Sequence, residues 1–357
     1  MAFLEADVTE ELYVELPDGY RDSPNQVGRL QKAMYGLVHV GLLWSNKFGG
    51  ELIAKGFERS QADPCVFRRK HLGKVVVIIV AYVDDLLVLS ETKQDEHQAL
   101  EDLRSSFSIK DLGEISDYLG CHITRNRKAR TRYAKMVTER FDIRKTSAIP
   151  VPTEKSPLSK ADGSQNDAEI AEMRGIPYRE AVGALMWVAN MARSDLAYTA
   201  HTLAKFGDNP GPEHWKVAMK ALQYLKRTAS LGVTYGGVTE DMKLSAWVDS
   251  DHASCPDTRR SISGGAVILG GGLISWFSRA QRITATATPE SECVALTEIV
   301  NELRFLRKVT AFVVPPIDYN IRVHKDSEGA IKMAENRFRS TNKIHRREAS
   351  YGSGYRR

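Results

Sequence analysis

The sequence predicts an α/β protein in three parts: an α+β first part, a helical middle, and a last third of layered strands and helices. Three observations carry this. Lys74 to Ser90 reads KVVVIIVAYVDDLLVLS, two apolar runs rich in β-formers (Val75–Ala81 and Leu86–Leu89) around one polar pair, the pattern of a hairpin of buried strands. Two long stretches, Tyr178 to Phe206 and Pro212 to Ala229, carry Leu, Met, Val and Trp at helical spacing. Beyond Lys243 strands come first and β-α alternation follows, an α/β layer pattern.

Taken in order, LYVELPDGY predicts a short strand with a Pro-Asp-Gly turn. VGRLQKAMYGL predicts the start of a helix, with Leu30, Met34 and Leu37 on one face. Leu43 to Phe57 continues as a helix through Trp44, Phe48, Leu52 and Ile53. DPCVFRRKHLGK is a strand and turn that lead into the hairpin. Thr92 to Phe107 is an amphipathic helix, and Lys110 to Arg125 returns as strands around Gly113 and Gly120. Residues 151–177 are rich in Pro, Ser, Lys and Asp and form a linker. In the last third, Lys243–Val248 and Ser261–Ser278 have strand character, the second broken at Gly264-Gly265 and Gly270-Gly271-Gly272. A helix over Pro289–Phe312 follows Thr288 as cap. A strand (Tyr319–His324), a helix (Ser327–Asn336) and a basic tail after Phe338 that loses periodicity complete the chain.

At 357 residues the chain is long enough for two or three domains. Its net charge of +5 and pI near 8.9 permit a polyanionic partner without requiring one. Cys65, Cys121, Cys255 and Cys293 lie far apart with no CxxC pair, which argues against a disulfide framework or zinc site and fits a reducing, cytoplasmic compartment. The opening MAFLEADVTEEL turns acidic at once and has no signal pattern. The hairpin is the one membrane-like stretch, and its paired Asp residues argue against a span, so no membrane partner is expected.

Two sets of acids point to chemistry. Asp84 and Asp85 sit at the tip of the apolar hairpin, where adjacent carboxylates are costly unless a cation compensates them; a divalent metal suits such hard oxygens. Asp249 ends the strand LSAWVDSD, Glu292 lies in the first turn of a long helix, and Asp326 ends IRVHKD. Acids brought from these places to one sheet edge could hold two hard ions, although spacing alone does not make them meet. Taken singly, each has a plainer reading: Asp-Asp as turn chemistry, and the other three as a solvated end, a helix N-terminal acid and a helix cap. Trp187, Trp215, Trp247 and Trp276 read as core or surface aromatics, His252 as a surface residue and Cys293 as a small core residue.

The motifs decide between these readings by occurring together. AFLEADVTEELYVELPDGY, LQKAMYGL, ADPCVF, YVDDLLV, KDLGEISDYLG, PYREAVGALMWVAN with RSDLAY, NPGPEHWKVAMKALQYLKRT, WVDSDHASCPDTRRSISGG, LISWFSRAQ and TPESECVALTE stand in this order. The chain resembles the reverse transcriptase and RNase H region of copia-type LTR retrotransposon polyproteins. The resemblance implies a partial reverse transcriptase over residues 1–127 (palm, incomplete fingers) and a thumb or connection region over 128–240. An RNase H-like α/β domain over 241–345 and an irregular tail over 346–357 would follow. It further implies that Asp84 and Asp85 are palm metal ligands, with Tyr82 and Val83 lining the primer end. By the same resemblance Asp249, Glu292 and Asp326 are RNase H carboxylates, and Phe3 lies beneath the nucleotide sugar and favours dNTPs. The cofactor implied is Mg²⁺, with Mn²⁺ as a substitute. The partners implied are an RNA template, a DNA primer, RNA–DNA hybrid and dNTPs, with a virus-like particle or the nucleus as further locations.

The chain also departs from the family. A DVxTAFL motif there supplies one more carboxylate, whereas this sequence has Met1 before Ala2-Phe3-Leu4. GLKQAPRAW becomes Gly36 to Trp44, with His39 and Leu42 in nucleotide-facing places. The fourth RNase H carboxylate falls on His345. These departures predict a polymerase-defective segment with three of four RNase H acids. The alternatives are a non-catalytic nucleic-acid-binding remnant and a structural scaffold whose acids are incidental.

Overall fold

The computed structural model describes residues 2–8, 10–17, 19–21, 23, 26–123, 137–141, 143, 157–236, 243–314 and 321–340, the last six of these by backbone only. Met1, the first part of the linker, His345 and the basic tail beyond Ser340 lie outside the described residues. The fold is mixed α and β, as the sequence predicts, and it divides into two compact units. One lies within Met1–Gly113 with Phe305–Ile317, the other within Glu114–Arg304 with Asp318–Arg357.

The first unit is built on an antiparallel sheet, β3 (Glu58–Arg59), β4 (Val66–His71), β5 (Lys74–Tyr82) and β6 (Asp85–Ser90), in that spatial order. Val77, Ile79 and Ala81 of β5 are buried, while Val76, Ile78 and Val80 between them are half-buried. Alternation along a strand sends successive side chains to opposite faces, so the unbroken Val/Ile run fills one core rather than two. Helix α1 (Val40–Ala54) supplies Trp44, Phe48 and Leu52 to that core, and α2 (Lys93–Ser106) supplies Ala99 and Leu103. Thr92 caps α2, its hydroxyl accepting the Asp95 N–H at 3.1 Å. A small ribbon, β1 (Tyr13–Glu15) with β2 (Val27–Arg29), precedes the sheet.

The helix expected from Leu30 to Leu37 does not form. Val8 N–H donates to Gln31 O and Ala33 N–H to Ala6 O, so this stretch pairs with the N-terminal segment, and Gly36 turns it with φ +100°. The next helix accordingly starts at Val40 and ends at Ala54, before Gly56 (φ +84°).

Of the strands expected over Lys110–Arg125, the described residues form only a short ribbon in the second unit, β7 (Asp117–Tyr118) with β8 (Cys121–His122). Helices α3 (Asp167–Arg174), α4 (Tyr178–Met191), α5 (Ala197–Ala204) and α6 (Pro212–Arg227) follow. Ala181, Val182, Leu185, Val188, Ala200, Leu203, Ala218, Ala221 and Leu222 form the common core of α4, α5 and α6, and the alanines let these helices approach closely. The single helix expected from Tyr178 to Phe206 is broken at Ala192–Leu196. There Arg193, 2% exposed, turns inward to pair with Asp195 and to donate to Thr228 O at 2.9 Å.

The last third of the second unit is a sheet in the order β11 (Gly272–Ala280), β10 (Ile262–Leu269), β9 (Leu244–Asp251), β12 (Arg322–His324). The first three strands are antiparallel; β12 runs parallel to β9, with Val323 opposite Ala246. Helix α7 (Thr288–Val313) begins at Thr288 itself, so that residue is its first rather than its cap. It contributes buried Ala295, Ile299 and Leu303. Helix α8 (Glu328–Ser340) starts just after Ser327, whose hydroxyl accepts the Ala330 N–H at 3.3 Å.

Candidate functional site

The first acidic site is the tip of the β5–β6 hairpin. Tyr82 and Asp85 form the last register pair, so Val83 and Asp84 alone make the turn. Val83 has φ +53°, the left-handed region that a β-branched residue rarely enters, at a strain of about 1–3 kcal/mol. Trp44 Nε1–H, reaching over from α1, donates to Val83 O at 3.2 Å and fixes the strained peptide. Asp84 Oδ1 accepts the Ala2 N–H at 2.6 Å, and the Tyr35 hydroxyl lies 3.1 Å from Oδ2. Burial, together with the neighbouring Asp84 carboxylate, pushes the Tyr35 phenol up. The Phe3 ring packs on Tyr35 with centroids 4.7 Å apart.

Phe3, Tyr35 and Asp84 are thus brought together, while Tyr82 and Asp85 flank the turn and are exposed. His39 sits exposed at the start of α1, its side chain making no capping bond. Tyr35 escaped the sequence reading; the aromatic of KAMYGL was the available signal. Two adjacent carboxylates fit Mg²⁺, which commonly takes one or two from protein and fills its shell with water and phosphate. Among the described residues no third acid joins the pair.

The second site gathers Asp249 of β9, Glu292 one turn into α7, and Asp326 two residues beyond β12. Each offers an oxygen within 4.8 Å of the others. Asp249 lies within its strand rather than at its end, and Glu290 is the acid of the first helical turn. The register explains the convergence: β12 lies beside β9 in parallel, so both chains deliver an acid toward the same edge. Asp249 and Asp326 are exposed and Glu292 is buried.

Lys325, which the sequence reading missed, runs into the middle of these acids with its side chain fully buried. Its Nζ lies 3.2 Å from Asp249 Oδ1 and 3.4 Å from Asp326 Oδ1, contacts Glu292 Oε2 more closely, and donates to Val248 O at 3.3 Å. Burial lowers the affinity of this amine for its proton, but the Glu292 and Asp249 carboxylates outweigh burial and hold it above the ordinary lysine value. Beneath the acids, Ser250 and Ser291 hydroxyls meet at 2.9 Å, and Gln281 Nε2–H donates to Ser291 O at 2.8 Å. Beside them Trp247 and His324 stack with centroids 4.7 Å apart and planes 11° apart.

Residues 1–155 match the family model described as reverse transcriptase (RNA-dependent DNA polymerase), which includes the hairpin and excludes the second site. The chain is 32% identical over 345 residues to the retrovirus-related Pol polyprotein from transposon TNT 1-94 of Nicotiana tabacum, covering 94% of this chain and 26% of that one. It is 29% identical to the Pol polyprotein from transposon RE1 of Arabidopsis thaliana, over 85% of this chain and 21% of the relative. To a putative transposon Ty5-1 protein of Saccharomyces cerevisiae it is 27% identical, over 85% of this chain and 98% of that protein. The chain spans about a quarter of the length of the first two relatives.

Proposed function

From the premise that this chain belongs, through residues 1–155, to the reverse transcriptase family of retrotransposon Pol polyproteins, we propose that it is a template–primer-binding segment whose Tyr82–Asp85 hairpin is the polymerase turn. The observation that carries this reading is the hairpin itself: a strained two-residue turn, pinned by Trp44, that presents Asp84 and Asp85 at the end of a half-buried sheet. Reverse transcriptases use divalent metals, and Asp84 with Asp85 would hold one here. When bound, such an ion stabilises charge on transferring phosphoryl oxygens.

The chain's own residues do the rest. Trp44 and the β5–β6 register set where the acids point, Tyr35 and the Ala2 N–H orient Asp84, and Phe3 on Tyr35 offers an apolar face where the family places the nucleotide sugar. The acid count argues that the segment alone does not polymerise: the described acids supply two ligands where a two-ion clamp needs more.

Primer extension on poly(rA)/oligo(dT) tests this. The expected result is retention of the hybrid on the protein with no extended product in Mg²⁺ or Mn²⁺. Product that Asp84→Asn abolishes would overturn the defect; absence of any hybrid binding would overturn the nucleic-acid reading.

A further inference from the structure

The divalent ions that the family resemblance assigns to Asp249, Glu292 and Asp326 do not fit the site as it stands. An ion bound by these oxygens would lie about 2.0–2.1 Å from each. That volume is held by the Lys325 ammonium, 3.2 Å from Asp249 and 3.4 Å from Asp326 and closer still to Glu292. A second positive charge placed among the same oxygens would meet the ammonium at contact distance in a partly buried setting, where repulsion is poorly screened.

The burial of each acid fits this arrangement. The Glu292 side chain, 6% exposed, is shielded from solvating water and takes the shortest contact with the amine. Asp249 and Asp326, 74% and 85% exposed, are open to solvent. The lysine is not a stray surface group swung inward: its side chain is 0% exposed, and Val248 O accepts another of its protons.

We infer that Lys325 is the resident cation of the second site, standing in place of metal, so that this site takes up no Mg²⁺ or Mn²⁺ and cuts no RNA strand. The inference leans on the proposed function only for the kind of site this is; the lysine's position is independent of it.

The test uses the full chain carrying Asp84→Asn and Asp85→Asn, so that the hairpin cannot contribute, with Mn²⁺ as probe. Bound Mn²⁺ is counted by EPR and Tm followed by circular dichroism. With Lys325, or with Lys325→Arg, Mn²⁺ is expected neither to bind at the triad nor to move Tm. Lys325→Ala should gain one Mn²⁺ and rise by about 4–6 °C in Tm at a hundredfold excess over Kd. Asp249→Asn should remove that gain.

Two results would overturn the inference: Mn²⁺ bound by the Lys325 protein and lost on Asp249→Asn, or a folded Lys325→Ala protein that binds none. Should Lys325→Ala fold only when Mn²⁺ is added, the inference stands. Should it not fold at all, the Asp249→Asn comparison in the Lys325 protein decides. Hybrid binding measured on the chain with Asp84, Asp85, Asp249 and Lys325 unchanged separates the two proposals, since its absence removes the proposed function and leaves the metal results intact.

Discussion

Arg193 and Asp195 illustrate how single residues hold this chain in shape. The guanidinium is buried among α4, α6 and the break between α4 and α5. It donates through Nε and Nη2 to Asp195 at 2.9 and 2.7 Å, while the Tyr224 hydroxyl donates to the same carboxylate at 2.8 Å. Removing one partner of a buried pair leaves the other charge uncompensated. Asp195→Ala is therefore expected to lower stability by about 1–3 kcal/mol, below the range for fully buried pairs because the Asp195 side chain is 37% exposed. Urea unfolding followed by far-UV circular dichroism measures it.

Burial raises the Asp195 pKa, but the Arg193 and Tyr224 hydrogen bonds outweigh burial and hold it below the ordinary carboxylate value. A depressed folded-state pKa contributes stability that is present above the unfolded value, near ~3.9, and lost as pH falls through the lower folded value. Asp195→Asn should flatten the stability profile in that acid range and leave its slope near neutrality unchanged.

Among the elements, the β9–β10–β11 sheet depends on one glycine for its contact with α7. A Cβ on Gly265 would lie 2.5 Å from the Phe277 ring and 2.8 Å from Ile299, whereas one on Gly264 would meet open space. Crowding a packed core costs typically about 1–3 kcal/mol. Gly265→Ala should cost that much while Gly264→Ala stays within about 0.5 kcal/mol; paired thermal melts compare them, and equal effects would contradict the packing. The same scale shows where sequence patterns mislead. Leu30, Met34 and Leu37 recur at helical spacing, yet backbone pairing with residues 6–8 claims the segment. The apolar period also runs unbroken through Tyr178–Phe206, because nothing local announces that Arg193 will turn inward.

For the molecule as a whole, a net charge of +5 spread over 357 residues is modest. On the proposed function, hybrid binding would rest on Lys and Arg contacts to phosphates, each releasing counterions. Affinity for an RNA–DNA hybrid should fall by about tenfold or more between 50 and 200 mM salt. Fluorescence anisotropy across that range would reveal the slope, and a flat response would remove phosphate contacts as the basis of binding. Among the described residues no helix is long and apolar enough to cross a membrane.

The sequence by itself determined the mixed α/β class, the hairpin with Asp84 and Asp85 at its tip, most helix boundaries to within a few residues, and kinship with retrotransposon reverse transcriptases. Those features depend on neighbours in the chain: β-branched runs, apolar period, capping residues and motif order. Tertiary structure alone decided that Tyr35 meets Asp84 from 49 residues away and that Lys325 meets Asp249 from 76. Such encounters follow from sheet register and helix packing, which bring together groups that no local pattern relates. That is why three acids read from strand and helix ends as metal ligands are found closed around a lysine.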